Sequence, residues 1–311
     1  MKTVALIAAA GFPGNPDSDG PMDKTGAITA IERIVATLRN AGISSIVIVT
    51  GHNSEELERL LASNHVVFLK NHHYGTTDML ESVKIGLRFL KGKFDRILFT
   101  IGDVPFFTSD TVKQLLASKE PIVVPYCDGE QGHPVLFSSH LTDFILDFKE
   151  SGGLQAALHA SQTGITFIQT EDRGIFHTDL EESSEEYQEL LKLHNQHLVR
   201  VNLRVGLARE KVFFDEQVST LLMLIDETGN VREACKHMHI SYTTSWNLIQ
   251  KLEQELHCQM VSRAQGGARG SHSELTPTAR EFLHLYSNYM EEVRRQASRL
   301  FEEQFKDFFR S

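Results

Sequence analysis

Asp103 is the residue in this chain best placed to do chemistry. It follows the apolar run Ile97-Leu-Phe-Thr-Ile101 in the sequence Gly102-Asp103-Val104-Pro105, so a carboxylate stands where a buried strand ends. In open α/β sheets, ligands gather outside the carboxyl ends of the strands. A carboxylate there can hold Mg²⁺, a hard cation bound by one or two carboxylates together with substrate phosphates. A second candidate is the loop from Gly11 to Lys24, Gly-Phe-Pro-Gly-Asn-Pro-Asp-Ser-Asp-Gly-Pro-Met-Asp-Lys, between an apolar stretch at 3–10 and helical spacing at 27–38. Strand, glycine-bearing loop and helix N-terminus together offer backbone N–H groups to a phosphate. Asp17, Asp19 and Asp23 would repel that phosphate, and the same mixture of Pro, Gly, Asp and Asn is also what a solvated turn contains. His133, between Gly132 and Pro134, follows a strand, where it serves either a substrate contact or a structural turn. His72 and His73 diverge on an extended chain, which points to surface or packing roles.

These groups need a scaffold. Up to about residue 195, apolar runs at 45–50, 66–69, 96–100 and 122–125 alternate with amphipathic helical segments near 55–62, 79–90 and 109–117. That order predicts a Rossmann-like, mostly parallel sheet covered on both faces, closed by a polar helix at 181–195. Beyond residue 205 the pattern becomes helices in quick succession at 213–227, 231–238 and 242–256. A hairpin at 258–263 and 272–275 follows, then one helix from Pro277 to Phe309. Helix, turn, helix and a glycine-rich wing form a DNA-binding arrangement, so the domains divide as 1–200 and 205–311. On the helix at 242–256, Trp246, Ile249, Leu252 and Leu256 recur at core spacing. Tyr242, Thr243, Thr244, Asn247 and Lys251 are then left to face DNA, with Arg263 and Arg269 from the wing and Ser241 as N-cap. On the last helix Phe282, Tyr286, Val293, Ala297, Leu300 and Phe305 form a stripe suited to dimerisation.

Composition sets bounds. The 311 residues suffice for two cores, and Cys127, Cys235 and Cys258 are too few and too scattered for a disulfide framework or a cysteine-based zinc site. No apolar run reaches the ~20 residues of a membrane span, and the start lacks a signal-peptide pattern, so a cytoplasmic location is expected. The net charge of -10 belongs to the whole chain and leaves room for a local basic patch.

The first region resembles the MobA/MocA-like nucleotidyltransferases, which attach CMP or GMP to molybdopterin. The likeness rests on Ala8-Ala9-Ala10-Gly11, on Asp78-Met-Leu-Glu-Ser82-Val-Lys-Ile-Gly-Leu87, on Gly102-Asp103-Val104-Pro105 and on Gly132-His133-Pro134-Val135. Gly152-Gly153 and His177-Thr-Asp179 with Glu185-Glu-Tyr187 continue it. The resemblance implies nucleotide binding by Ala9, Ala10, Gly11, Ser82 and Gly102, with Ser82 facing the base. It also implies Mg²⁺ on Asp103 and Asp179 and a molybdopterin-like substrate on Gly132, His133 and Pro134. The family's loop carries an Arg and a Lys, and an ungapped alignment puts Asn15 and Gly20 at those places; Lys24 is the substitute cation. The run Ile240-Ser-Tyr-Thr-Thr-Ser-Trp246 and the wing from Arg263 to Pro277 resemble the N-terminal domain of ModE-type molybdate regulators. That likeness implies a homodimer on DNA. Two functions stay open: a Mg²⁺-dependent nucleotidyltransferase joined to a DNA-binding domain, and a regulator that senses a nucleotide or molybdopterin without turning it over.

Overall fold

The computed structural model of the protein describes residues 1–11, 20–61, 66–176, 182–199, 201, 203–238, 240–264 and 272–309. It divides into two compact units, one holding most of the chain before residue 201 and the other most of the chain after it.

The first unit is built on strands β1 (Thr3–Ala9), β2 (Lys24–Thr25), β3 (Ile28–Thr29), β4 (Ser45–Thr50), β5 (Val67–Lys70), β6 (Arg96–Ile101), β7 (Ile122–Cys127), β8 (Glu130–Gln131), β9 (Val135–Ser138) and β10 (Ile165–Gln169). Its helices are α1 (Ala30–Asn40), α2 (Ser54–Leu60), α3 (Met79–Leu90), α4 (Ser109–Ala117), α5 (Thr142–Asp147), α6 (Gly153–Ala160) and α7 (Glu185–His197). An eight-stranded sheet runs β10-β7-β9-β6-β1-β4-β5, with β8 beside β7. β1 is parallel to both β4 and β6, and β10 is parallel to β7. The mostly parallel sheet is the one the alternating pattern predicts. Val4, Ala5, Leu6 and Ile7 are fully buried, which explains why β1 is apolar on both faces rather than alternating. α1 starts at a capping box, Thr29 with Glu32, and α3 starts where the Asp78 side chain accepts from the Glu81 N–H. Gly86 lets α3 lie directly on Leu6 of β1; a Cβ there would enter the Leu6 side chain.

Two strands depart from the sequence pattern. β9 is antiparallel, wedged between β6 and β7, and β10 forms the far edge. Neither has the long apolar run of a central strand.

The second unit contains β11 (Leu207–Ala208), β12 (Val212–Phe214), α8 (Glu216–Thr228), α9 (Val231–Met238), α10 (Tyr242–Leu256), β13 (Val261–Ala264), β14 (His272–Leu275) and α11 (Pro277–Phe309). Phe213 and Phe214 belong to β12, not to the helix, because Asp215 is extended and its carboxylate caps α8 at the Val218 N–H. α8 ends at Gly229, in the left-handed region at φ 63, with its N–H on the Ile225 carbonyl. The core gathers Phe214, Leu221, Ile225, Ile249, Leu252, Met260, Leu283 and Tyr286. The stripe on α11 divides along its length: Tyr286 is 5% exposed, whereas Leu300 is 47% and Phe305 43% exposed. Among the described residues no helix is long and apolar enough to cross a membrane.

Candidate functional site

The exits of β1, β4 and β6 converge at one edge of the sheet. Ala8 of β1 is in register with Ile101 of β6, and the Gly102 N–H donates to the Ala8 carbonyl at 2.9 Å. Ala9, Ala10 and Gly11 therefore leave the sheet beside Gly102 and Asp103. Gly102 is required here: a Cβ would stand 2.8 Å from Pro21 Cγ and 3.1 Å from Ala9 Cβ. On the other side, Gly51 lies so close to the Ala10 carbonyl and Tyr74 that a Cβ would collide with both. His52 N–H donates to that carbonyl at 3.2 Å. Asp103 is half-buried at the end of β6.

The loop returns to this edge through Gly20-Pro21-Met22, a short 3-10 turn in which Gly20 is buried at φ 59. A lysine at that position would be strained in backbone. Lys24, in β2, is exposed. Asn15, Asp17 and Asp19 lie outside the described residues, as do Asp179 and His177.

Behind Asp103 lies a buried polar hub that the sequence pattern did not single out. Arg33, 2% exposed on α1, donates from Nε to Thr25 Oγ1 at 3.2 Å and from Nη2 to the Thr25 carbonyl. Its Nη1 meets His194 Nδ1 at 3.0 Å and Asn195 Oδ1 at 2.7 Å. A guanidinium only donates, so Nδ1 must be the acceptor and the imidazole proton sits on Nε2. That nitrogen faces the Phe107 carbonyl at 3.2 Å and Thr37 Oγ1 at 3.2 Å. Burial and the adjacent guanidinium hold the His194 pKa down, to about 3. Tyr187 stacks edge-on against Phe106, and its burial pushes the phenol pKa up. The hub holds Phe106 and Phe107, which lie shortly after Asp103, and Thr25 of the β2 strand that carries Lys24. The available signal was Arg33 itself, a charge set among Ile31, Ile34 and Leu38 on the apolar face of α1.

The other candidates flank this edge. Ser82 is 4% exposed and its hydroxyl accepts from Asn71 Nδ2 at 3.1 Å, so it is engaged with the preceding loop rather than presented to solvent. Asn71, 2% exposed, also donates to Thr77 Oγ1 and accepts from the His73 N–H. His73 is thus part of a turn. On the β9 side, Val135 is in register with Phe99, which brings Gly132, His133 and Pro134 to the same end of the sheet. The Gly132 N–H donates to the Pro125 carbonyl and the His133 N–H to the Ile175 carbonyl. The His133 ring meets Phe99 edge-on at 5.8 Å.

In the second unit, α9 and α10 form the helix pair of the expected reading motif. Ile249 and Leu252 are fully buried, while Trp246 and Leu256 are half-buried. Ser245 is buried as well, its hydroxyl 2.9 Å from Cys235 Sγ. Tyr242, Thr243, Thr244 and Asn247 are exposed. The Thr244 hydroxyl lies 2.8 Å from the capping Ser241 Oγ. Lys251 is half-buried, and its ammonium donates to the Val212 carbonyl at 2.6 Å. Arg263 lies in β13 opposite Ser273, and Arg269 falls outside the described residues.

Comparison with known proteins matches two separate stretches of the chain. Residues 13–165 match the MobA-like NTP transferase domain, and residues 219–280 match the bacterial regulatory helix-turn-helix protein, lysR family. Among curated proteins, the bifunctional protein GlmU of Thermosipho africanus is 30% identical over 115 residues, 37% of this chain and 24% of that protein. GlmU of Staphylococcus haemolyticus is 26% identical over 122 residues, 39% of this chain and 26% of that one. The chain thus spans about a quarter of the length of these relatives. Of solved structures, Rv0371c from Mycobacterium tuberculosis superposes with a TM-score of 0.52 at 16% identity, over 61% of this chain and 97% of its own. A nucleotidyl transferase from Methanothermobacter thermautotroptrophicus gives 0.52 at 19% identity, over 63% and 98%. At such identities the superpositions speak for the fold. The chain carries a MobA-like NTP transferase domain followed by a LysR-type helix-turn-helix domain.

Proposed function

We propose that residues 1–200 bind a nucleoside triphosphate, CTP or GTP, and transfer its nucleotidyl group to molybdopterin, while residues 205–311 bind DNA as a homodimer. The observation that supports the first part is the close approach of Gly102 to Ala9 and Pro21, which brings the end of the loop, the exit of β1 and Asp103 together.

In the reaction, an oxygen of the acceptor's phosphate bonds to the α-phosphorus of the nucleotide. The bond from that phosphorus to the bridging oxygen breaks, and pyrophosphate leaves with the electron pair. Asp103 is a hard oxygen donor suited to Mg²⁺, with Asp179 as the second. Mg²⁺ bound with a nucleotide takes one or two protein carboxylates and most of its other ligands from phosphates and water. When bound, Mg²⁺ neutralises charge on the phosphates and aligns them. Ala9, Ala10, Gly11 and Gly102 line the nucleotide. Ser82 and Asn71 hold the base-side rim, Lys24 supplies the positive side chain, and Gly132, His133 and Pro134 receive the acceptor.

One observation favours a second reading, in which the domain senses its ligand without turning it over. Gly20 is buried at positive φ where the resemblance calls for lysine, and Asn15 stands in place of arginine. Losing one charge-stabilising group costs ~10²–10³ in rate by analogy with oxyanion-hole deletions. On the DNA side, the exposed Thr243 and Asn247 of α10 support a recognition helix. The likeness of residues 240–246 to molybdate regulators supports a link to molybdenum metabolism. Exposed Leu285, Tyr289, Leu300 and Phe308 on α11 support pairing of two chains, as two-fold operators need.

Calorimetry with Mg²⁺-CTP and Mg²⁺-GTP tests both readings. One nucleotide should bind and Asp103→Ala should abolish the heat; no heat with either nucleotide refutes both. Pyrophosphate release in the presence of molybdopterin then separates transfer from sensing.

A further inference from the structure

Arg232 is used by nothing described so far. It is exposed in the first turn of α9, the helix before the recognition helix, and its backbone N–H donates to the Asn230 side chain at 2.8 Å. Its guanidinium lies over the Tyr242 ring, 5.3 Å from the centroid, and Tyr242 in turn meets Trp246 edge-on at 6.1 Å. A half-buried tryptophan therefore backs a tyrosine, and the tyrosine carries an arginine.

Several other cations of the domain are paired with carboxylates. Lys236 pairs with Glu233 at 2.8 Å, Arg280 with Asp226 at 2.7 Å and Arg209 with Glu255 at 3.4 Å. Arg232 has no carboxylate partner among the described residues. An aromatic face fixes a guanidinium without neutralising it, and leaves its N–H donors available at the edge of the plane. In helix-turn-helix complexes the start of the recognition helix enters the major groove while the preceding helix crosses the backbone. Tyr242 is the first residue of α10, so Arg232 stands at the point where a phosphate rims that groove.

We propose that Arg232, held by Tyr242, is a phosphate clamp that fixes α10 in the groove. The proposal rests on the DNA-binding reading above. It makes Tyr242 a positioning residue for a charge rather than a reader of bases. A phosphate contact carries no sequence information, so the clamp acts on any duplex.

The test uses the full chain and a fluorescently labelled random-sequence DNA duplex, titrated by anisotropy between about 50 and 200 mM KCl. Arg232→Ala should lower the slope of log K against log salt by about 0.9 per DNA-bound domain. Over that range the wild type then loses about 3.5-fold more affinity per domain than the variant. Tyr242→Phe should bind like wild type, because the ring face is kept. Tyr242→Leu should weaken binding about 2–5-fold, the value of an exposed cation–π contact. Lys236→Ala, which removes an ion-paired cation from the same helix, should leave the slope unchanged. An unchanged slope for Arg232→Ala overturns the clamp, and so does an equal fall for Lys236→Ala. A Tyr242→Leu protein that binds like wild type removes the positioning role. If the wild type binds no duplex at any salt, the DNA reading itself fails, an outcome distinct from an unchanged slope.

Discussion

The neutrality of His194 makes the first domain sensitive to mild acid. Folded, its Nδ1 accepts from the Arg33 guanidinium, so a proton there would break that bond and set two cations 3.0 Å apart in a buried site. The folded pKa is about 3, against 6.5 in the unfolded chain. Between those values the unfolded chain binds the proton and the folded one does not, so the free energy of unfolding falls as pH drops. Stability from this group is complete above pH 6.5 and is lost at up to ~1.36 kcal/mol per pH unit towards pH 3. At about pH 5 the loss is about 2 kcal/mol, a large part of a domain's stability. Urea unfolding at several pH values, followed by circular dichroism, measures it. Trp246 is the single tryptophan and lies in the second domain, so its fluorescence follows that domain separately. His194→Gln keeps an acceptor for Arg33 and a donor for the Phe107 carbonyl but does not titrate; its first transition should be nearly level in stability where the wild type falls. Parallel pH profiles for the two proteins would refute the assignment.

Three further outcomes follow from the geometry. Gly102→Ala sets a methyl 2.8 Å from Pro21 and should lower stability by about 1–3 kcal/mol and abolish the nucleotide heat; full binding in calorimetry would show that the loop is not held against β6. Asn71→Ala removes the donor to Ser82 and Thr77 and the acceptor of the His73 N–H, and should cost about 1–3 kcal/mol in thermal unfolding while weakening nucleotide affinity. Gly229→Ala forces a side chain into φ 63 and should destabilise the second domain by about 1–2 kcal/mol, read by Trp246 fluorescence, with the first transition unmoved.

What the sequence made legible was local. α3, α4, α9, α10 and α11 begin and end where the periodicity predicts, because Asp78, Thr108, Ser241 and Pro277 mark their starts with their own chemistry. The convergence of Gly102, Asp103, Ala9 and Ala10 follows from strands that each end in a recognisable turn. The inserted β9 was hidden, since four residues with two of them half-buried do not announce a direction. The sequence of β12 has helical spacing because Phe213 and Phe214 continue the apolar pattern of α8, and only the Asp215 cap separates them. The hub was hidden for another reason: Arg33 and His194 stand 161 residues apart, and no local pattern couples them.

That separation has a consequence for how the chain is made. The family match ends at residue 165, yet Arg33 finds its partners at His194 and Asn195, and Asn40 donates to the carbonyls of His197 and Leu198. During synthesis, from N-terminus to C-terminus, α1 emerges with its arginine long before the helix that receives it. Thr25 supplies acceptors for Nε and Nη2 at once, but Nη1 has none until α7 emerges, and burying that donor unsatisfied is unfavourable, so the closing of the hub waits for α7. The last elements of the domain to be translated thus decide when its first helix is secured.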